Sequence, residues 1–286
     1  MAKAVRWAAY GLGSLVILVL IAAAGVWLIA GQKLIAHGAG KREHLAEATP
    51  AQLTDAGRQL IVLRCVGCHN KGLRGDLFFD EPHVAKIYAP NLTAVAAKAS
   101  DEQLARAIRQ GIGNDGRALV IMPSGTFGRL EDGEVAALIA AIRAQPAGGA
   151  ASPPRRVGLL GRIGLLTGKF HTAPEQVAEY ARKIPIDLGP QFARGRHMAA
   201  SNCAECHGPD LSGAEVEPGV NAPDLTIAGA YDLPAFTRLM RTGVPPGGRK
   251  LKLMGDISRE SLSHMTDAEI EELHTYLEAR AQRLSR

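Results

Sequence analysis

Aromatic residues are scarce in this 286-residue chain, and its positive charges are dispersed. Phe, Trp and Tyr make up 5% of the sequence, and Lys and Arg form no dense run although the formal net charge is +5. Proteins that bind single-stranded nucleic acids combine basic grooves with interleaved aromatic side chains, which this composition does not supply. We therefore expect no nucleic-acid partner. The excess positive charge instead suits an acidic protein or an anionic lipid surface.

Cysteine is also rare. The chain has four cysteines, and all of them belong to CxxCH motifs. The motifs are CVGCH at residues 65–69 and CAECH at residues 203–207. No cysteine is left over to ligate a haem through a thiolate. A disulfide within one motif would close a small strained ring, and a thioredoxin-like redox pair would need a βαβ context that the sequence lacks.

CxxCH is the spacing that attaches c-type haem. Two thiols separated by two residues can form thioether bonds to the porphyrin, and the following imidazole can coordinate the iron. A shared Cys₄ zinc site is the alternative, but each cysteine pair has its own histidine and its own part of the chain. The motifs therefore predict two covalently bound haems c, held by Cys65, Cys68, His69, Cys203, Cys206 and His207.

The two motifs lie in two copies of one sequence repeat. GRQLIVLRCVGCHNKGLRG (57–75) aligns with GRHMAASNCAECHGPDLSG (195–213), and APNLT (89–93) aligns with APDLT (222–226). The pattern predicts that each copy begins with a helix that runs into its motif and ends with an amphipathic helix.

The first helices are expected over residues 55–64 and 191–201, and each contains a glycine at the same aligned position. We expect Gly57 and Gly195 to permit a close crossing with the C-terminal helix of the same copy.

A histidine-bound iron that transfers electrons usually takes a methionine as its sixth ligand. The repeat aligns GRALVIM with GRKLKLM, which pairs Met122 with Met254 and predicts them as axial ligands opposite His69 and His207. His83, on the loop after the first motif, is the alternative for the first iron. The methionines that align with apolar core positions are Met198, Met240 and Met265.

Pro90 and Pro223 occupy the same position in the twin stretches APNLT and APDLT. A carbonyl that accepts the second N–H of a ligating imidazole fixes the orientation of the ring. We expect these prolines to supply that carbonyl to His69 and His207. The alternative is that both prolines merely terminate loops.

No charged residue lies between Arg6 and Lys33, a stretch longer than the roughly 20 residues that span a bilayer. Lys3 and Arg6 favour a cytoplasmic amino terminus. This predicts a single-pass protein of the bacterial inner membrane with its haem domains in the periplasm. A cleaved signal peptide is the alternative, because AAAG at residues 22–25 resembles a cleavage site, but the apolar run continues beyond it.

Composition divides the chain into five parts: an anchor over 1–32, a linker over 33–50, a first haem domain over 51–146, a second linker over 147–185 and a second haem domain over 186–286. The second linker contains VGLLGRIGLLTGKF (157–170). This apolar segment either touches lipid or a partner, or packs as a strap against one of the domains.

With these motifs the chain resembles the class I cytochrome c family, and more closely the membrane-anchored dihaem cytochromes c that are similar to cytochrome subunits of periplasmic dehydrogenases. The resemblance covers residues 51–286. It implies an all-α fold, in which an N-terminal transmembrane helix precedes two tandem helical haem domains.

The resemblance also implies electron transfer on the periplasmic side of a respiratory chain. The implied partners are a periplasmic dehydrogenase, a quinol-oxidising or terminal oxidase complex, or a soluble cytochrome. An electron carrier or electron-transfer subunit is favoured because no acid and base for catalysis are identifiable. A dihaem enzyme, peroxidase-like or sulfur-oxidising, is the alternative.

Overall fold

The computed structural model describes residues 2–35, 40–47, 49–217 and 219–286, so that residues 36–39 and 48 of the predicted first linker lie outside it. Its first element is a long helix, α1 (Ala2–Lys33). The apolar side chains of α1 are exposed along most of its length. Among the described residues, α1 is the one helix long and apolar enough to cross a membrane, a test that a signal sequence also passes.

The N-terminal repeat is a helical bundle with one β-hairpin. Its elements are α2 (Pro50–Arg64), α3 (Val66–His69), β1 (Asp76–Glu81), β2 (Ala85–Ala89), α4 (Leu92–Ala96), α5 (Asp101–Gln110), α6 (Ser124–Phe127) and α7 (Asp132–Arg143). The helix before the motif begins at Pro50 rather than at residue 55, because Thr49 and Gln52 form a capping box and proline takes the first helical position.

Three short elements link the repeats: β3 (Arg156–Val157), α8 (Leu159–Leu166) and α9 (Ala173–Tyr180). The C-terminal repeat then contains a 3₁₀ turn (Pro190–Phe192), α10 (Ala193–Met198), a π-helical turn (Ala199–Cys203), α11 (Ala204–His207), β4 (Ala214–Glu217), β5 (Val220–Ala222), a 3₁₀ segment (Leu225–Ala230), α12 (Leu233–Thr242), α13 (Leu253–Glu260), a 3₁₀ turn (Leu262–His264) and α14 (Asp267–Leu284). Met198, Met240 and Met265 lie in the core of this repeat, as expected.

The mostly helical fold is confirmed, but five short strands were not predicted. β1 pairs antiparallel with β2, whose other edge pairs with β3, and β4 pairs antiparallel with β5. The two hairpins occupy equivalent places. Each follows a CxxCH motif, and β2 and β5 end immediately before Pro90 and Pro223.

The two aligned glycines lie where helices cross, as expected. A Cβ on Gly57 would lie 2.0 Å from the carbonyl oxygen of Ala137 in α7. A Cβ on Gly195 would lie 2.2 Å from the carbonyl oxygen of Glu272 in α14. In both repeats the helix that precedes the motif therefore packs backbone to backbone against the last helix. A residue larger than glycine at the crossing would not permit this contact.

The apolar segment at residues 157–170 packs against the N-terminal repeat and the end of α1. A Cβ on Gly161 would lie 2.3 Å from the Val84 carbonyl oxygen, and Leu165 is 2% exposed. Lys33 donates to the Leu165 carbonyl at 3.1 Å. The segment is thus a strap, although Leu160 on its other side is 53% exposed.

We predict that Gly57→Ala destabilises the protein by about 3 kcal/mol or more, because the new methyl group meets backbone that cannot move aside. Thermal unfolding of the haem-loaded protein measures this. Gly133→Ala is the matched control, since its Cβ would meet nothing closer than Ala46 at 4.0 Å. The control should be neutral or stabilised by up to about 1 kcal/mol; equal effects of the two changes would contradict the crossing.

Candidate haem sites

The first CxxCH motif forms one helical turn that continues α2. The Cys65 amide bonds to the Ile61 carbonyl at 2.8 Å, and the His69 amide bonds to the Cys65 carbonyl at 2.8 Å. This turn places Cys65, Cys68 and His69 at i, i+3 and i+4, on one face of the helix. None of the four cysteines, all of which lie in described parts of the chain, takes part in a disulfide. The turn can therefore present two thiols and an imidazole to one ligand.

Each motif histidine contacts a proline carbonyl, which confirms the expected role of the two prolines. Nδ1 of His69 lies 2.8 Å from the Pro90 oxygen, and Nδ1 of His207 lies 2.8 Å from the Pro223 oxygen. Because a carbonyl oxygen only accepts, Nδ1 carries the proton and Nε2 keeps its lone pair for a metal. Burial lowers the pKa of both imidazoles, against the opposing effect of the proline carbonyl. Both rings are therefore neutral at pH 7.

A glycine with positive φ closes each loop between histidine and proline. Gly75 (φ 77°) and Gly213 (φ 94°) donate their amides to the carbonyls of His69 and His207 at 3.1 and 2.8 Å. A Cβ on Gly75 would lie 2.3 Å from the Ala89 carbonyl oxygen. The glycine therefore lets the chain after the motif pass directly against the proline stretch.

The electrostatics of the thiols count against a reactive redox pair, and the positions of possible ligands count against a shared zinc site. Burial raises the pKa of the Cys65 and Cys203 thiols to about 12. Burial, followed by the charge of Glu205, raises the pKa of Cys68 and Cys206. Reactive redox cysteines have a lowered pKa and are thiolates, unlike these four. In addition, no group of three or more His, Cys, Asp or Glu that could hold a metal ion occurs within the described part of the chain.

The two methionines proposed as sixth ligands reach the core of the correct repeat, but in different local structures. Met122 follows Ile121, which has φ of 72°, in the loop before α6, whereas Met254 is the second residue of α13. Met122 packs against the core cluster that contains Cys65. Met254 and Cys203 both pack against the core cluster of the C-terminal repeat. Their coordination of iron stays a prediction.

His83 lies far from the first motif. It is exposed at the turn between β1 and β2, whereas Pro90, which contacts His69, follows the opposite end of β2. The five residues of β2 span roughly 16 Å at 3.3 Å per residue. The geometry therefore does not support His83 as a ligand of an iron held by His69.

The residue after each proline caps the next helical segment. Asn91 Oδ1 accepts from the Thr93 amide at 3.0 Å, and Asp224 Oδ1 accepts from the Thr226 amide at 2.7 Å. Asp224 also accepts from Arg280 at 2.8 Å. Burial alone would raise the pKa of Asp224, but the bonds from Arg280 and Thr226 outweigh it and hold that pKa below its ordinary value.

The two CxxCH motifs approach each other where the repeats meet. Arg64, which precedes Cys65, donates from Nη1 to the Ser201 carbonyl and from Nη2 to Ser201 Oγ at 3.2 Å. Burial lowers the pKa of this guanidinium, which interacts electrostatically with Glu134, Cys65 and Cys203. One buried arginine therefore lies beside the first cysteine of both motifs.

Further polar contacts join the N-terminal repeat and the second linker to the C-terminal repeat. They are Thr126 Oγ1 to Glu205 Oε2 at 3.0 Å, His197 Nε2 to Glu134 Oε2 at 2.8 Å, Tyr180 Oη to the Ala204 carbonyl at 3.1 Å and Ser261 Oγ to the Leu63 carbonyl at 2.5 Å. Sequence reasoning missed all of them. Arg64 has the pattern of an ordinary basic residue in a last helical turn, and no spacing connects it to a residue 137 positions away.

Comparison with known families agrees with this geometry. Residues 192–280 match the family described as Cytochrome c, and residues 52–140 match the family described as Cytochrome C oxidase, cbb3-type, subunit III. The chain belongs to the cytochrome c family. This tandem cytochrome c carries two covalently bound haems c, one in each domain, and transfers electrons. No curated protein matches its sequence significantly.

The residues of both motifs of the cytochrome fit haem c. Each motif offers two unpaired thiols and one neutral imidazole whose Nε2 is free. These residues would hold haem c, the two thiols through thioether bonds to the porphyrin and the imidazole through the iron. The same set, repeated with the same proline contact, accounts for one haem in each domain.

We predict that Met122→Ala and Met254→Ala each lower the weak near-infrared sulfur-to-iron band of the oxidised protein by about half, because each removes one of two thioether ligands. The double variant should lose the band. Met240→Ala is the control: Met240 is 3% exposed in the core, so its loss should cost about 2–5 kcal/mol of stability without changing the band. An unchanged band in Met122→Ala would refute that ligand.

We predict that Asp224→Asn lowers the stability of the second domain by about 1–2 kcal/mol at pH 7, because the buried Arg280 loses its carboxylate while the cap remains. The Asp224 side chain is 39% exposed, which keeps the effect modest. Since its pKa is depressed in the folded protein, the contribution is present above the ordinary value of 3.8 and disappears as pH falls through the folded value.

The variant and the parent are unfolded in denaturant at several pH values. The difference between their free energies of unfolding should disappear as the pH falls below about 4. Asp232→Asn is the control, because Asp232 caps α12 through the Ala235 amide at 2.8 Å and asparagine caps equally well. If the difference in stability between the parent and Asp224→Asn increased in acid, the stabilising role of the Asp224 carboxylate would be refuted.

Proposed function

We propose that this tandem cytochrome c is a membrane-anchored relay that passes electrons between its two domains and a partner on the periplasmic side of a bacterial inner membrane. In this proposal Cys65, Cys68, His69 and Met122 hold the first haem, and Cys203, Cys206, His207 and Met254 hold the second. The observation that carries the proposal is the contact between the residues that precede the two CxxCH motifs, in which Arg64 donates to Ser201.

The chain holds the two sites at one spacing and in one orientation. Bound haem c supplies one-electron chemistry, its iron alternating between the ferric and ferrous states. The proline carbonyls orient His69 and His207, and burial keeps both imidazoles neutral. Arg64 joins the end of α2 to the turn that leads into Cys203. These features favour direct transfer between the domains over two independent carriers.

The anchor in this proposal is α1. Its exposed apolar surface suits lipid, and Lys3 and Arg6 favour a cytoplasmic amino terminus. The last turn of α1 is attached to the rest of the chain, since Lys33 pairs with Glu175 at 2.8 Å. This attachment would hold the haem domains close to the membrane, where electron-transfer complexes lie.

An oxidase complex is the partner class that the comparisons support best. The N-terminal domain matches a family described as a subunit of a cbb3-type cytochrome c oxidase. A periplasmic dehydrogenase or a quinol-oxidising complex would occupy the donor side of the same relay. Mild detergent extraction followed by identification of the co-purifying chains tests this, and a mature chain that begins at Gly25 and stays in the soluble fraction would contradict the anchor.

We predict that Arg64→Gln slows electron transfer between the domains, because it removes a buried charge-assisted contact worth about 1.5–3 kcal/mol and loosens their fixed spacing. Flash photoreduction, with the two haems resolved spectrally, measures the rate. Both haems should remain attached, since the CxxCH residues are unchanged.

Arg238→Gln is the matched control, as Arg238 is an exposed arginine on α12 and its loss changes the net charge equally. Its rate should equal that of the parent. Equal rates in the parent, the control and Arg64→Gln would contradict a relay that depends on this contact.

A further inference from the structure

A basic cleft lies at the end of α1. It has a volume of about 190 Å³ and is lined by Leu34, Ile35, Arg117, Arg155, Val157 and Arg162. Pockets that enclose drug-sized ligands are larger, roughly 300–1,000 Å³. The cleft therefore suits an ion or one polar headgroup.

The cleft carries an excess of positive charge. Three guanidinium groups line it, and the carboxylate that neutralises part of this charge is Asp115, which pairs with Arg117. Burial, and next the charge of Arg117, lower the pKa of Arg155, against the smaller opposing effect of Asp115. Like charges that lie this close repel each other, and a bound anion would relieve the repulsion.

Two of the arginines are held in place by backbone carbonyls and still have donors to spare. Arg155 donates from Nη1 to the Ala118 carbonyl and from Nη2 to the Leu34 carbonyl at 3.1 Å. Arg162 donates from Nε to the Val157 carbonyl at 3.2 Å and from Nη1 to the Trp27 carbonyl at 2.9 Å. A guanidinium has five N–H donors, so these contacts leave three on each arginine.

Aromatic residues indicate the depth of the cleft relative to a membrane. Trp7 and Trp27 lie near the two ends of the uncharged part of α1. Twenty residues of helix separate them by about 30 Å, the thickness of a bilayer's hydrocarbon core. The Arg162 guanidinium stacks on the Trp27 ring at 3.7 Å from its centroid. If α1 spans a membrane, the cleft lies at the level of the lipid headgroups.

Apolar side chains of α8 lie next to Arg162 in the sequence and are exposed. Leu160 is 53% exposed and Ile163 is 38% exposed, whereas Gly161 and Leu165 face the protein. A helix with this pattern suits the boundary between headgroups and acyl chains. The surface thus offers cations for a headgroup and apolar contact for a chain.

We propose that the cleft formed by Arg117, Arg155 and Arg162 binds the phosphate of an anionic phospholipid and so fixes the orientation of the haem domains on the membrane. This rests on the proposed role of α1 as a retained anchor. Arginine suits the ligand because its planar fork binds phosphate oxygens in pairs.

The test uses the full-length, haem-loaded protein in nanodiscs of phosphatidylcholine with a minor share of phosphatidylglycerol. Native mass spectrometry after mild release counts the lipids retained on each protein. We expect the parent to retain phosphatidylglycerol in preference to phosphatidylcholine. Arg117→Gln with Arg155→Gln should lower this preference at least about tenfold.

The matched control is Arg238→Gln with Arg283→Gln, two exposed arginines of the C-terminal domain whose loss changes the net charge equally. It should keep the preference of the parent. Asp115→Asn removes the carboxylate that pairs with Arg117 and should strengthen retention, an increase that damage to the fold would not produce. Equal retention in the cleft and control variants would overturn the proposal.

A second arm separates a lipid headgroup from free phosphate. Inorganic phosphate is titrated into the protein in pure phosphatidylcholine nanodiscs, and its effect on thermal unfolding is measured. Strong stabilisation by phosphate, without selective retention of phosphatidylglycerol, would overturn the lipid proposal. Failure of the anchor itself would look different, because a cleaved chain would start near residue 25 and leave the membrane.

Discussion

Each half of this cytochrome is organised around one hydrogen bond, from Nδ1 of the motif histidine to the carbonyl of a proline. The bond is 2.8 Å long in both domains, although its two ends are 21 residues apart in the first and 16 in the second. It selects the tautomer that leaves Nε2 for iron and fixes the plane of the ring. A hairpin and a glycine with positive φ lie between the histidine and the proline in each domain. Together they bring the chain back, so that the proline carbonyl contacts the histidine.

The two domains share this hydrogen bond between histidine and proline and differ elsewhere. Asn91 caps the segment after its proline and donates from Nδ2 to the Gly148 carbonyl at 2.8 Å, whereas Asp224 caps the equivalent segment and pairs with Arg280. Met122 lies in a loop and Met254 in a helix. Duplication has therefore kept the residues that orient the imidazole and varied other residues around it. Such variation is a physical route to two haems with different redox potentials, because polarity and hydrogen bonding near the iron set the potential.

Arginine side chains join consecutive parts of the chain at two places. Arg155 and Arg162 tie the end of α1 to the first domain through backbone carbonyls. Arg64 ties the first domain to the second beside both CxxCH motifs. In each case a guanidinium donates to backbone carbonyls at the junction of two elements, which an apolar contact could not do. Polar contacts at two junctions thus join α1, the first haem domain and the second haem domain.

Features that depend on contacts within one repeat could be predicted from the amino-acid sequence. The CxxCH turn, the crossings at Gly57 and Gly195 and the proline carbonyls could be predicted because they recur in aligned copies. The strands could not, since β1 reads DLFFDE without clear alternation and is mostly exposed; pairing with β2 stabilises it. Tertiary structure alone decided how the repeats meet, because Arg64 aligns with Asn202 and has no counterpart in the second copy. Its partner, Ser201, is brought to it only when two folded surfaces pack, and no periodicity along the chain encodes that contact.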